Sequence, residues 1–174
     1  MTDVGRCGEC GFEYDLAAAV SAGPAIVVGV LPISELLGAS DPDLRRRPAP
    51  DTWSPLEYGC HLRDVLLVQR ERVLAARRVD TPSFEPMGRD ERVDHDGYND
   101  QDPGAVARQL TDAAAMLANV MTRLGDAEWD RRVVYHYPST HERSLRWVAA
   151  HTLHEVRHHL VDVRRQLAPG ADDG

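Results

Sequence analysis

Lysine is absent from the 174 residues, and all 20 basic side chains are arginine. That points to a GC-rich coding sequence more than to chemistry. Positive charge is scarce overall: the net charge is −8 and the sequence pI about 5.4. An acidic surface argues against an extended phosphate-binding face, because nucleic-acid binders need clustered positive charge. The one basic block, Arg45-Arg46-Arg47, reads as a solvated linker. Cysteine is sparse too. Three, an odd number, argue against a disulfide framework and for a reducing cytoplasm. Long apolar runs are limited to residues 16–33, broken by Gly23-Pro24 and Pro32. That is too short for a comfortable membrane span. Glu9, Glu13 and Asp15 stand upstream, where a signal peptide needs positive charge. The run reads as a core helix, and neither membrane nor nucleic acid is an expected partner.

What is present is helical periodicity. A chain of this length with 43% hydrophobic residues suits one globular domain. A first helix is expected over residues 23–37, with Pro24 in its first turn and Pro32 as a kink or break. Residues 39–52, with three prolines, read as a linker or extended loop. Ser54-Pro55 opens a second helix with Glu57 at the capping-box position, running to Arg77. Its shared face holds Tyr58, His61, Leu62, Val65, Val68 and Gln69. Residues 79–101 read as an irregular excursion. Asp102-Pro103 starts a third helix with an apolar stripe from Val106 to Leu124, and Gly125 is placed to cap its end. Residues 128–143 suggest a short strand or hairpin before Pro138. A last helix runs from Ser144 to Pro169-Gly170. The fold class expected is all-α: an antiparallel four-helix bundle with a long crossover. Three regions follow: an extension over 1–22, the bundle over 23–168, and a flexible tail over 169–174.

The last helix is rich in histidine: His151, His154, His158 and His159, half of the eight in the chain, lie within nine residues. Histidine is a common metal ligand, and i,i+4 spacing puts two ligands on one helical face. A wheel centred on Val156 gathers Leu145, Ala149, Thr152, Leu153, Leu160, Val163 and Leu167 on the buried face. His159 and Glu155 fall on its shoulder, about 60° and 100° to one side. His151 and Asp162 lie further out on that side. His154 and His158 fall on the back, with Trp147 and Arg165, and are the less favoured pair; a π-bulge would turn His158 inward. Glu155 and His159 with His61 form a set of two histidines and one carboxylate. Three protein ligands leave a position open, as catalytic metals require. Zinc is the first choice; nickel, iron and manganese also suit the set.

Two motifs resemble a known family. Trp53-Ser54-Pro55-Leu56-Glu57-Tyr58-Gly59-Cys60-His61-Leu62-Arg63-Asp64 is similar to the W-S-x-x-E-x-x-x-H-L-x-D signature of the DinB-like superfamily. His154-Glu155-Val156-Arg157-His158-His159-Leu160-Val161-Asp162-Val163 resembles its closing H-x3-H-L-x-Q-I pattern. Matching Asp162-Val163 to the final pair puts the ligand positions at Glu155 and His159. Glutamate then replaces the first histidine, as in the branch containing mycothiol-dependent maleylpyruvate isomerase and mycothiol S-transferases. The resemblance spans residues 24–167. It implies a DinB-like four-helix bundle, a divalent metal near one end, a homodimer, and a low-molecular-weight thiol such as mycothiol as cosubstrate. It implies no DNA polymerase or DNA-binding activity.

Cys7-Gly8-Glu9-Cys10-Gly11 reads as half of a zinc knuckle. A structural zinc needs four ligands, and His95, His136 and His141 are the possible additions to Cys7 and Cys10. A redox pair and an exposed segment are the alternatives. Cys60 points off the core face of its helix. The leading functional expectation is a metal-dependent thiol S-transferase, or related isomerase, acting on a small electrophile. Arg63, Arg146 and Arg157 are candidates to hold an acidic group. A non-catalytic metal-binding or interaction protein and a metal-dependent hydrolase are the other readings.

Overall fold

The computed structural model describes residues 5–39, 41–136 and 139–168. The expected flexible tail and the Pro169-Gly170 helix stop lie outside the described residues, as does Pro138. Four long helices carry the fold: α1 (Ala22–Gly38), α2 (Pro55–Arg78), α4 (Pro103–Met121) and α5 (Leu145–Leu167), with a short α3 (Arg89–His95) between α2 and α4. Three short strands, β1 (Ser83–Phe84), β2 (Arg132–Tyr135) and β3 (His141–Ser144), make a small sheet. β1 runs parallel to β2, and β2 and β3 are antiparallel.

Helix starts follow local chemistry. Ser54 Oγ accepts the Glu57 N–H, and the Glu57 carboxylate accepts the Ser54 N–H at 2.7 Å, closing the expected capping box. Asp102 accepts from the Ala105 N–H at 2.7 Å, and Ser144 accepts from the Trp147 N–H at 3.3 Å. α1 continues through Pro32. Each of α1 and α2 packs against both α4 and α5, so α1 and α2 stand on opposite sides of the bundle and meet only locally. At that meeting point Gly59 faces Leu37, where a Cβ would approach Leu37 Cδ1 to 2.5 Å.

By length and composition, residues Ala18–Gly38 could cross a membrane, with mean hydropathy 1.8. Here Ile26, Val30, Ile33 and Leu37 are buried against the bundle, while Val28 and Leu31 are exposed.

Three expectations change. Gly125 is not a left-handed cap: its φ is −73°, and α4 already ends at Met121, with Gly125 opening a 3-10 turn over Asp126–Asp130. Residues 79–101 are not wholly irregular, since they hold β1, α3 and a 3-10 turn at Tyr98–Asp100. The basic block is not simply solvated, because Arg47 forks onto the buried carboxylate of Glu57.

The excursion is fastened to α2 by Asp64. Its carboxylate accepts from Arg63 Nε at 2.8 Å, Arg92 Nη1 at 2.9 Å and the Tyr98 hydroxyl at 2.7 Å. The same covering explains Cys60. It does point away from the bundle centre, yet it is fully buried, with its thiol directed at the Tyr98 carbonyl. Burial pushes that thiol's pKa up to about 12, so it stays protonated.

Candidate metal centre

The capping box fixes the first turn of α2, and His61 follows Glu57 by one helical turn on the inward side. α5 brings Glu155 and His159 to the same place. His61 Nε2 lies 3.8 Å and His159 Nε2 3.5 Å from one oxygen of Glu155. The two imidazoles meet edge to face with centroids 5.2 Å apart. Trp53 packs on His61 and Tyr58 on His159, each at 5.0 Å between ring centroids.

These separations are long for hydrogen bonds. They suit ligands around a shared ion: metal–nitrogen and metal–oxygen bonds of about 2.0–2.2 Å at a tetrahedral angle leave nitrogen and oxygen about 3.4 Å apart. The contact behind His159 also fits. His159 Nδ1 bonds Asp162 Oδ2 at 2.9 Å, which turns Nε2 toward Glu155. His61 Nδ1 is buried and has no hydrogen-bond partner among the described residues.

Charge is unevenly distributed in this cluster. Burial disfavours ionised Glu155, but the nearby imidazoles of His159 and His61 and the charge of His159 hold its pKa well below 4.5. Burial likewise opposes protonation of His159, yet Asp162 and Glu155 overcome it and raise the pKa to about 9. His61 is lowered, chiefly by burial. His159 thus stands between two carboxylates, Asp162 at Nδ1 and Glu155 toward Nε2.

A cavity of about 750 Å³ opens over this cluster. Its apolar walls include Trp53, Val65, Phe84, Met87, Tyr135 and Trp147. Cavities of this size hold small organic ligands. Arg6, Arg72 and Arg89 line it. Arg63, Arg146 and Arg157 do not: Arg63 is tied to Asp64, Gln101 and Gln109, Arg146 to Asp130, and Arg157 lies over Phe12. Arg72 was legible in the sequence, since one more turn along the His61–Val65–Gln69 face reaches it. Tyr14 carried no such signal, because nothing periodic links it to α5.

The back of α5 is where the wheel misleads. His154, expected on an outer face, is only 6% exposed, and Trp147 is buried as well. Residues 5–14 cover that side. The Tyr14 hydroxyl lies 2.9 Å from His151 Nδ1 and 3.0 Å from His154 Nδ1. Having one proton, it donates to one ring and accepts from the other. Cys7 Sγ stands 3.7 Å from His158 Nδ1. Ligand atoms of Cys7, Cys10, His154 and His158 all lie within 4.8 Å of one another. Burial raises the Cys7 pKa, but backbone N–H groups of Cys10 and Glu9 and hydrogen bonds with Cys10 and His158 bring it down to about 7. The expected partners are elsewhere: His136 bonds Ser83 and Thr140, His141 bonds Ser139, and His95 is exposed at the end of α3.

A family profile described as the DinB superfamily matches residues 33–162. The chain belongs to the DinB superfamily. Among solved structures this DinB superfamily chain is similar to YfiT from Bacillus subtilis, described as a probable metal-dependent hydrolase with an unusual four-helix bundle topology. The TM-score is 0.71 at 15% identity, covering 89% of each chain. That likeness establishes the shared bundle fold. No curated protein matches the chain.

Proposed function

We propose that this DinB superfamily chain binds a divalent metal through His61, Glu155 and His159 and uses it in a thiol S-transfer to a small electrophile. The observation that carries the reading is the convergence of His61 Nε2 and His159 Nε2 on one oxygen of Glu155 beneath the cavity. When bound, a divalent metal supplies a Lewis acid that deprotonates a coordinated thiol, and the thiolate is the nucleophile in S-transfer. Glu155 brings one negative charge to the ligand set, and Asp162 orients His159. Arg6, Arg72 and Arg89 supply positive charge for an acidic group of the thiol or its acceptor, and the apolar walls exclude water around the electrophile. Glutamate in place of the family's first histidine supports the thiol branch, and the cavity has room for a low-molecular-weight thiol such as mycothiol. A reducing cytoplasm and a homodimer belong to the same reading.

Hydrolysis is the second reading, favoured by the description of YfiT. The same ligands would then serve a water in place of the thiol.

The test is metal content followed by turnover. Purified protein should lose one metal equivalent per chain in His61→Ala and in His159→Ala; full retention in both sinks the proposal. Thiols, mycothiol included, are then offered with epoxides and activated alkenes, with and without chelator. Chelator-sensitive thiol consumption supports S-transfer. Chelator-sensitive hydrolysis without thiol consumption selects the second reading. Neither activity leaves a metal-binding protein without catalysis and overturns the enzyme assignment.

A further inference from the structure

The geometry points to a second metal site: Cys7, Cys10, His154 and His158 as four ligands of a structural zinc that clasps the N-terminal hairpin to α5. The hairpin is built for it. Arg6 pairs with Glu13 in an isolated antiparallel bridge, Cys7 N–H donates to the Phe12 carbonyl at 2.8 Å, and Gly11 N–H donates to the Cys7 carbonyl at 2.9 Å. Gly11 takes a φ of +72°, which glycine adopts without strain, directly after the second cysteine. The turn holds both sulfurs on the side facing α5.

The histidines answer with i,i+4 spacing, one turn apart on the same face of the helix. All four ligand atoms fall within 4.8 Å of each other. Zinc–sulfur and zinc–nitrogen bonds of about 2.3 and 2.0–2.1 Å at a tetrahedral angle require a sulfur–nitrogen edge of about 3.6 Å. Cys7 Sγ and His158 Nδ1 are 3.7 Å apart. His154 supplies an independent observation. Its Nδ1 is engaged by Tyr14, while Nε2 is buried with no hydrogen-bond partner among the described residues. An unsatisfied buried nitrogen is costly, and a metal bond would satisfy it. His158 presents Nδ1 to Cys7, while its Nε2 turns toward the carboxylates of Glu9 and Asp162, at 3.6 and 3.7 Å. Two thiolates and two imidazoles select zinc among common divalent ions, and four protein ligands leave no open position, so the site is structural.

The consequence is mechanical. His154 and His158 precede Glu155 and His159 by one residue each, so α5 carries two ligand pairs rotated by about 100°. The clasp fixes the rotation of α5 and holds Arg6, Cys7, Glu9 and Tyr14 as one wall of the cavity. This inference does not depend on the bundle metal or on any activity.

The full chain is loaded with Co(II) as a spectroscopic probe, and zinc is counted in parallel. The expected result is a thiolate-to-cobalt charge-transfer band in the near ultraviolet that survives His61→Ala and is lost in Cys10→Ser. Cys10→Ser lowers zinc by one equivalent, separately from any equivalent that His61→Ala removes at the bundle site, and in Cys10→Ser tryptic cleavage at Arg6 quickens about tenfold or more. Absence of the band in cobalt-loaded wild type overturns the site. So does a count of one free thiol in the denatured, unreduced chain, which would mean a Cys7–Cys10 disulfide. If Cys10→Ser does not fold, zinc-edge X-ray absorption of the wild type decides: sulfur neighbours at about 2.3 Å support the site, and a shell of nitrogen and oxygen alone refutes it.

Discussion

Glu57→Gln separates a signature residue that holds the site from residues that would bind the metal. Glu57 is 1% exposed, accepts the Ser54 N–H, and receives the Arg47 guanidinium as a fork. Glutamine keeps the shape and one acceptor oxygen but removes the charge. Breaking a buried pair typically costs about 3–5 kcal/mol, because the remaining charge is stranded. Arg47 is 35% exposed and can recover water, so the cost falls to about 2–3 kcal/mol. For a chain of this size that lowers Tm by about 4–12 °C. Burial raises the Glu57 pKa, but Arg47 and the Ser54 N–H outweigh it, and the folded value lies below 4.5. A depressed folded pKa means the pair's contribution is fully present above about pH 4.5 and is lost as pH falls through the folded value. Urea unfolding of wild type and variant at several pH values measures this. The gap should be largest at neutral pH and close in acid. A gap below about 0.5 kcal/mol at pH 7, typical of an uninvolved surface site, would mean that the Arg47–Glu57 pair does not hold the start of α2. A gap that persists unchanged in acid would mean that the pair's charge is not its source. Metal content of the folded variant should equal that of wild type, since Glu57 contacts Ser54 and Arg47 and not the cluster.

Asp162→Asn removes the carboxylate behind His159 and should weaken metal binding at the bundle site by about 10–100-fold in a chelator competition titration; unchanged affinity would show that His159 needs no such support. Gly59→Ala puts a methyl against the buried end of Leu37 and should cost about 1–3 kcal/mol in urea unfolding, with Leu37→Val in the same chain restoring part of it; two effects that simply add would contradict the proposed clash. Tyr98→Phe deletes the hydroxyl on Asp64 and should cost about 1–3 kcal/mol, and a neutral result would mean that Arg63 and Arg92 suffice to hold Asp64.

Much of the site was legible because two kinds of local information coincide on α5. Helical spacing put Glu155 and His159 on one shoulder, and the closing motif singled out the same two residues. The structure brings both to His61. Helix starts at Ser54, Asp102 and Ser144 were equally plain, since a cap is made within four residues. Failures share a cause as well. A seven-residue helix such as α3 is too short to show a period. Gly125 looked like a cap, but α4 had already ended one turn earlier. Arg47 looked like linker because its partner, Glu57, lies ten residues on.

Local spacing was enough for the four long helices, the N-caps of α2, α4 and α5, their inward faces and the candidate triad. These depend on the spacing of side chains along one helix. Tertiary structure alone decided what covers the outward faces. Cys60 is buried by residues 98–101, and His154 and Trp147 by residues 5–14. A wheel divides a helix into inside and outside relative to a single core, and here a distant segment makes a second inside. Cys7 and Cys10 therefore meet His154 and His158 only through folding, because the two pairs of side chains stand far apart in the chain.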